Sequence, residues 1–278
     1  MATEAKAAIA ARREALERRL GELGSIVVAY SGGVDSSLLA VVAHRVLGAR
    51  SLAVTADSES LAEEQRSLAT SVAAQFGFPH RVIFTSELQD PLYVRNAPDR
   101  CYHCKTELFR HLVPLAAAEG FAHVAYGLVT DDLSDYRPGP RAAREAGVVA
   151  PLAEAGLDKE DVRALSRELG LPTAELPSSP CLSSRLPYGT SVTVEALRRV
   201  ERAEEAVRRL GFRELRVRHY GEAARVEIAR AELGRLDDPS CREAVAAAVR
   251  AAGYATVEVD PEGYRRGRLN LPVVSPAD

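Results

Sequence analysis

Apolar positions along the chain fall into two rhythms. Over residues 7–23 they recur at helical spacing through Ile9, Leu16, Leu20 and Leu23, which predicts an amphipathic leading helix. After Gly24 the pattern becomes a short β-branched run, SIVVAY at 25–30, of the kind that forms a buried strand. A serine-glycine segment follows at once, and then a helix to about Leu47. Strand-like stretches at 51–56, 80–85 and 123–127 alternate with helical patterns ending near Phe76 and spanning 106–119. Strands alternating with helices predict an α/β fold, a parallel sheet covered on both faces.

The rhythm changes after Asp158. DKEDVRALSRELG predicts a helix with Asp158 as N-cap, Asp161 at its third position and Gly170 at its end. Residues 171–191 carry four prolines and predict an irregular loop. A long helix from about Thr193 to Leu210, two strands paired around Gly221, a helix over 241–252 and a last strand at 254–260 complete the chain. This second module is α+β and smaller. The boundary falls between Gly170 and Ser191, giving domains 1–175 and 176–278.

Composition narrows the class. The 278 residues are 46% hydrophobic and 27% charged, ordinary values for a globular protein. The net charge of −3 offers no bulk positive field for nucleic acid, so no nucleic-acid partner is expected. The longest apolar runs, 38–43 and 244–249, are far short of the roughly 18 residues of a membrane span, so no membrane partner is expected either. The mixed charges of the first twenty residues argue against a signal peptide. Four cysteines are too few for a disulfide scaffold, and a reducing cytoplasm is the expected compartment.

The segment Ser31-Gly32-Gly33-Val34-Asp35-Ser36-Ser37 lies between a predicted strand and a predicted helix. Its glycines let the backbone approach an anion, and the helix N-terminus adds positive partial charge. No Walker-type lysine follows the glycines, so the motif is not one that cradles a γ-phosphate for hydrolysis. A plain Gly-Gly turn capped by Asp35 would carry the same residues.

Placed after an apolar strand, SGGVDS resembles the PP-loop of the ATP pyrophosphatases, which split ATP between the α- and β-phosphates to make an adenylated intermediate. Six further blocks follow in order: DRCYHCKTEL from Asp99, TDDLSDYRPG from Thr130, the stretch from Pro151 to Lys159, CLSSRLPYG from Cys181, LRVRHYGEAARVEI from Leu215, and EGYRRGRLN from Glu262. With them the chain resembles the LarE family from Ser25 to Asn270. Those enzymes insert sulfur during synthesis of the nickel-pincer nucleotide used by lactate racemase. The resemblance implies a small nucleotide substrate, pyridinium-3,5-biscarboxylate mononucleotide, with ATP and Mg²⁺. It implies that Ser31, Gly32, Gly33, Asp35, Ser36 and Ser37 hold the pyrophosphate, with Asp35 helping to hold the metal, and that Thr55 and Ala56 lie near the adenine. Gly127 is expected at the same carboxyl edge of the sheet, where open α/β folds bind ligands. Asp131, Asp132 and Asp135 form an acidic cluster beside Arg137, readable as metal or ATP orientation or as helix capping with a local ion pair.

Cys181 matches the family's sulfur-bearing cysteine. In the simplest form of the family this thiolate attacks the acyl-adenylate and is consumed, leaving dehydroalanine. A cation at Arg185 would raise its thiolate fraction. This chain departs from that form. Cys101 and Cys104 lie at i and i+3 in CYHC, and with Cys181 they make three thiolates. Such a set suits a [4Fe–4S] cluster with one open iron, or zinc with an open position; two helix-start cysteines without metal, or a transient disulfide, are the alternatives. By resemblance to three-cysteine PP-loop enzymes, the open iron carries an extra sulfide from a sulfide donor, and transfer is catalytic. His103 is read as a bystander and Cys241 as structural. Arg216 and Arg218 alternate with Val217 and share one strand face, and they match arginines that bind the substrate phosphate in the family. Glu227 on the neighbouring strand could simply pair with them. Arg265, Arg266 and Arg268 are read as solvated or interfacial. The family also suggests a homo-oligomer. A tRNA thiolase, an amide-forming synthetase and a nucleotide-binding regulatory module are the rival readings; the first would need a basic RNA-binding surface, and the other two leave the cysteines unexplained.

Overall fold

The computed structural model describes residues 2–133, 138–177 and 180–264. In chain order the elements are α1 (Ala2–Leu23), β1 (Ile26–Ala29), α2 (Val34–Leu47), β2 (Ser51–Asp57), α3 (Glu63–Phe76), β3 (His80–Phe84), α4 (Pro91–Val94), α5 (Arg100–Ala118) and β4 (His123–Tyr126). They continue with α6 (Pro138–Glu145), α7 (Pro151–Glu154), α8 (Lys159–Glu168), α9 (Val194–Arg209), β5 (Leu215–Tyr220), β6 (Ala223–Ile228), α10 (Pro239–Ala251) and β7 (Thr256–Val259). The chain divides into two compact units, Met1–Glu87 with Asp99–Ser179, and Leu88–Pro98 with Pro180–Asp278.

The first unit is built on a parallel sheet of order β3-β2-β1-β4. Alternation along the central strand sorts its side chains to two faces. Ile26 and Val28 join Leu16, Leu20, Leu38 and Leu165 in one core, and Val27 joins Phe109, Leu112 and Val124 in the other. Both faces of the central strand are therefore covered by helices, which is why β1 is apolar throughout, whereas the edge strand β3 carries His80 and Arg81 and is largely exposed. Helix α8 starts as its sequence dictates. Asp158 accepts from the Asp161 amide, and Asp161 accepts in return from the amide of Asp158, closing a capping box.

The second unit holds a three-stranded sheet of order β5-β6-β7, antiparallel between β5 and β6 and parallel between β6 and β7. Leu215 and Val217 pack with Val207 of α9 and with Val245 and Val249 of α10. Arg216 and Arg218 occupy the alternate positions of β5 and so share its opposite face. The segment Leu88–Pro98 sits with this unit although it lies far upstream in sequence. A boundary drawn at 175/176 cannot describe it, because its partners are set by tertiary hydrogen bonds to residues 183–192. No described helix is long and apolar enough to cross a membrane.

Candidate functional site

The phosphate loop leaves the carboxyl end of β1 and enters α2. Gly32 has φ +74°, and a Cβ there would stand 2.9 Å from Cβ of Ala69 on α3, so glycine alone fits. The loop is tied from within. Ser36 Oγ donates to the Gly33 carbonyl (3.2 Å) and accepts from the Ser31 amide (3.2 Å), and the hydroxyls of Ser31 and Ser36 are 3.2 Å apart. Gln65 of α3 donates to the Ser31 carbonyl from outside. Ser31 is exposed, whereas Ser37 is fully buried and lies behind the loop. The N-terminus of α2 thus presents its first-turn amides and the exposed Ser31 hydroxyl, the means by which such a loop holds an anion.

Asp35 sits in the first turn of α2 and is gripped by Lys159, whose ammonium reaches both carboxylate oxygens, Oδ1 at 2.5 Å. Burial pushes the Asp35 carboxyl up, and the Lys159 charge works against that shift. Lys159 is the first residue of α8, and its own amide donates to Asp131 Oδ2 at 3.0 Å. The loop that lacks a lysine of its own therefore receives one from another helix. Gly127, just past β4, lies against this turn: a Cβ there would meet the Ser36 nitrogen at 2.9 Å and Cβ of Asp35 at 3.1 Å. Its place is a close approach of backbone to backbone beside the loop. Thr55 is buried inside β2, where its hydroxyl bonds the Tyr30 carbonyl and His80 Nε2, each at 2.8 Å. Its side chain is a link between strands, and β2 runs on to Asp57; Ala56, half-buried, is the next residue along.

Cys101 and Cys104 are the second and fifth residues of α5, Cys101 exposed and Cys104 half-buried. Residues three apart on a helix lie on neighbouring positions of one face, and a helix N-terminus favours anionic sulfur. The pair therefore fits two ligands of an iron–sulfur cluster. Cys104 Sγ donates to Glu87 Oε1 at 3.6 Å, and the same buried oxygen accepts from Ser58 (3.1 Å) and Ser60 (3.0 Å). Among the described residues no three His, Cys, Asp or Glu side chains are grouped as a metal site.

In the second unit Cys181 is half-buried and precedes a short 3-10 turn, Leu182–Arg185. Arg185 folds back over that turn, and its Nη1 donates to the carbonyls of Pro180 (2.6 Å) and Cys181 (3.1 Å). Its other edge forms a two-pronged pair with Glu204 of α9 at 2.8 and 3.0 Å. Burial disfavours charge on Arg185, and Glu204 more than offsets it, holding the guanidinium above its usual value. Glu204 is likewise held below the usual carboxylate range: burial opposes ionisation, and Arg185, Arg216 and Arg208 outweigh it. Arg218 donates through Nε (3.0 Å) and Nη2 (2.7 Å) to Glu227 of β6, and through Nη1 to the Ser184 carbonyl (3.1 Å). Arg216 donates to the Leu215 carbonyl and lies 4.9 Å above the Tyr264 ring. Burial, and then repulsion from Arg185, push its pKa down. Glu227 thus pairs with Arg218, although Arg216 is its direct cross-strand neighbour.

Cys241 lies half-buried in α10 and packs against the second unit's core. Asp135, Arg137, Arg265, Arg266 and Arg268 lie outside the described residues. Sequence reasoning assigned no role to Lys159, Glu204, Tyr93 or Asn96. Glu204 carried a signal: it stands on the stripe Leu197, Val200, Glu204, Val207, where a buried helix face calls for apolar residues.

The asparagine synthase family model matches residues 10–110. An uncharacterized protein of Synechocystis sp. is 45% identical over 258 residues, 92% of this chain and 96% of that one. The pyridinium-3,5-bisthiocarboxylic acid mononucleotide synthase of Lactiplantibacillus plantarum is 37% identical over 265 residues, 95% of each chain. A tRNA-specific 2-thiouridylase of Roseiflexus castenholzii is 34% identical, but over only 38% of this chain and 34% of its own.

Proposed function

The chain belongs to the LarE family of PP-loop enzymes, and from that premise we propose that it converts a carboxylate of pyridinium-3,5-biscarboxylate mononucleotide into a thiocarboxylate at the expense of ATP. It is an ATP-dependent sulfur-transferring enzyme. The observation that carries the substrate is the likeness to the L. plantarum synthase, which runs through 95% of both chains and so through both units.

The chemistry follows from the leaving group. A carboxylate is a poor electrophile, because oxide does not leave. Attack of a carboxylate oxygen on the α-phosphorus of ATP forms a C–O–P link and expels pyrophosphate. A sulfur nucleophile then adds to the acyl carbon, the C–O bond breaks, and AMP leaves. In this reading the amides and hydroxyls of Ser31–Ser36 receive the pyrophosphate. Lys159 supplies the cation that the loop lacks, and Asp35, released by Lys159, faces the Mg²⁺ of Mg·ATP. Arg216 and Arg218 hold the substrate phosphate. Cys101, Cys104 and Cys181 hold a [4Fe–4S] cluster, which when bound would supply an iron open to an extra sulfide.

The test is made without oxygen. Protein reconstituted with iron and sulfide, then given Mg·ATP and the dicarboxylate nucleotide, forms more than one thiocarboxylate per chain and keeps its intact mass. Alanine at Cys101, Cys104 or Cys181 removes both iron and activity, and Cys241→Ala removes neither. Active Cys101→Ala and Cys104→Ala proteins with dehydroalanine at position 181 would instead establish the sacrificial route. Absence of any thiocarboxylate would overturn the function itself.

A further inference from the structure

Asn96 is the one non-glycine residue among those described with a positive φ, 55°, and it is completely buried. Asparagine tolerates the left-handed region better than most residues, but a buried instance calls for a cause in the surrounding structure. The cause lies in its side chain. Nδ2 donates to the carbonyls of Pro187 (2.8 Å) and Thr190 (2.9 Å) and approaches that of Leu186 (3.4 Å). Its own carbonyl accepts from the Gly189 amide at 3.0 Å, and the Val94 carbonyl accepts from Val192 at 2.9 Å. Three positions earlier Tyr93, also buried, shares a 2.6 Å hydrogen bond with the hydroxyl of buried Ser183. All these partners belong to the loop that carries Cys181, and Ser183 lies in the turn that closes when the Ser184 amide donates to the Cys181 carbonyl at 2.9 Å.

We propose that Leu88–Pro98 is a strap that fixes the Cys181 loop, with Asn96 and Tyr93 as positioning residues for sulfur transfer. The proposal rests on the reading of Cys181 as a sulfur-handling residue. Pro180 and Pro187 flank the turn at Leu182–Arg185 and keep the loop from extending into a strand or an α-helix, so beyond that single turn its position depends on contacts from outside. Apolar packing alone would let the strap slide, whereas an amide donating to successive carbonyls sets its register. The strap is itself stiffened at its start, where Asp90 caps the short α4 and Pro91 opens it. The chain leaving the strap enters α5 at once, and Cys101 comes three residues after Pro98. One backbone segment therefore restrains the Cys181 loop and leads directly into the Cys101–Cys104 pair.

Asn96→Gly keeps the left-handed backbone and deletes the amide; Tyr93→Phe keeps the ring and deletes the hydroxyl. Two measurements are made on each. The first is the rate at which iodoacetamide alkylates Cys181 in metal-free protein, located by peptide mass, with Cys241 as internal reference. The second is pyrophosphate released per thiocarboxylate formed by the reconstituted enzyme. A loosened loop speeds Cys181 alkylation and leaves Cys241 unchanged. It also lowers sulfur transfer by about tenfold to a hundredfold, the scale of an ångström-level misplacement, with a smaller loss of pyrophosphate release, so the ratio rises. A merely destabilised protein would lose both activities together and keep the ratio. Wild-type alkylation and coupling in the folded variants overturn the strap. If Asn96→Gly does not fold, Tyr93→Phe decides. Alkylation needs no substrate, so a wild-type protein that makes no thiocarboxylate would sink the proposed function while this arm still judges the strap.

Discussion

At the scale of single residues the site is a set of paired charges, and each pair changes what a substitution should do. Lys159 and Asp35 hold each other in a loop shaped for an anion. Lys159→Met should weaken Mg·ATP binding by calorimetry by roughly tenfold to a hundredfold, the worth of one charge-assisted hydrogen bond. AMP affinity should change less, and Lys159→Arg should recover part of the loss. Equal loss for ATP and AMP would place the lysine away from the pyrophosphate. The two β5 arginines should differ from each other. Arg216→Ala should weaken substrate more than ATP. Arg218→Ala should do the same and also destabilise the fold by about 3–5 kcal/mol, because it strands the buried Glu227 carboxylate. A melting curve for Arg218→Ala that matches the unsubstituted protein would contradict this. The residue types on the site were legible in the sequence, since a strand-loop-helix frame dictates where Ser31–Ser36 must lie. Their pairing was not. Asp35 and Lys159 are far apart in the chain, and only the packing of α8 against α2 brings them together.

At the scale of elements, legibility follows the strength of local signals. The β-branched runs of the parallel strands, the Asp158–Asp161 capping box and the turn at Gly221 could be read because each is decided within a few residues. The strap could not. PLYV is too short to show a period, and Asn96 finds its partners about ninety positions away. The phosphate loop shows how elements constrain one another, because the turn after β4 presses on the first turn of α2. Gly127→Ala should therefore fold with an unchanged circular dichroism spectrum but lose most Mg·ATP affinity, since its methyl group would push the Ser36 amide out of place. Undiminished ATP binding in this variant would show that the loop does not depend on that approach. Asp158→Ala should cost about 1 kcal/mol of stability, the usual worth of an N-cap, and it should loosen Lys159 with the helix start.

At the scale of the whole molecule, a half-buried histidine and a buried one tie stability to pH. His80 and His219 are both pushed down by burial, so the folded protein keeps them neutral while the unfolded chain protonates them near the ordinary value of about 6.5. The unfolded state then binds more protons, and stability falls as pH drops through that value toward the lower folded pKa values. Urea midpoints measured from pH 7 to 5 should fall, and less steeply in a His80→Gln, His219→Gln protein; parallel slopes would contradict the assignment. The two-unit organisation was legible as a change of rhythm after Asp158, but the interleaving of 88–98 was not, because it is a property of tertiary contacts. The phosphate loop and the Cys101–Cys104 pair lie in the first unit, and Cys181 with the arginine strand lies in the second. The most direct test is the phosphorus product of a complete anaerobic reaction, followed by ³¹P NMR alongside the mass of the nucleotide product. Adenylation followed by sulfur transfer predicts AMP and pyrophosphate in equal amounts, matched by thiocarboxylate. Steady release of ADP and phosphate, or thiocarboxylate formed without ATP cleavage, would contradict it.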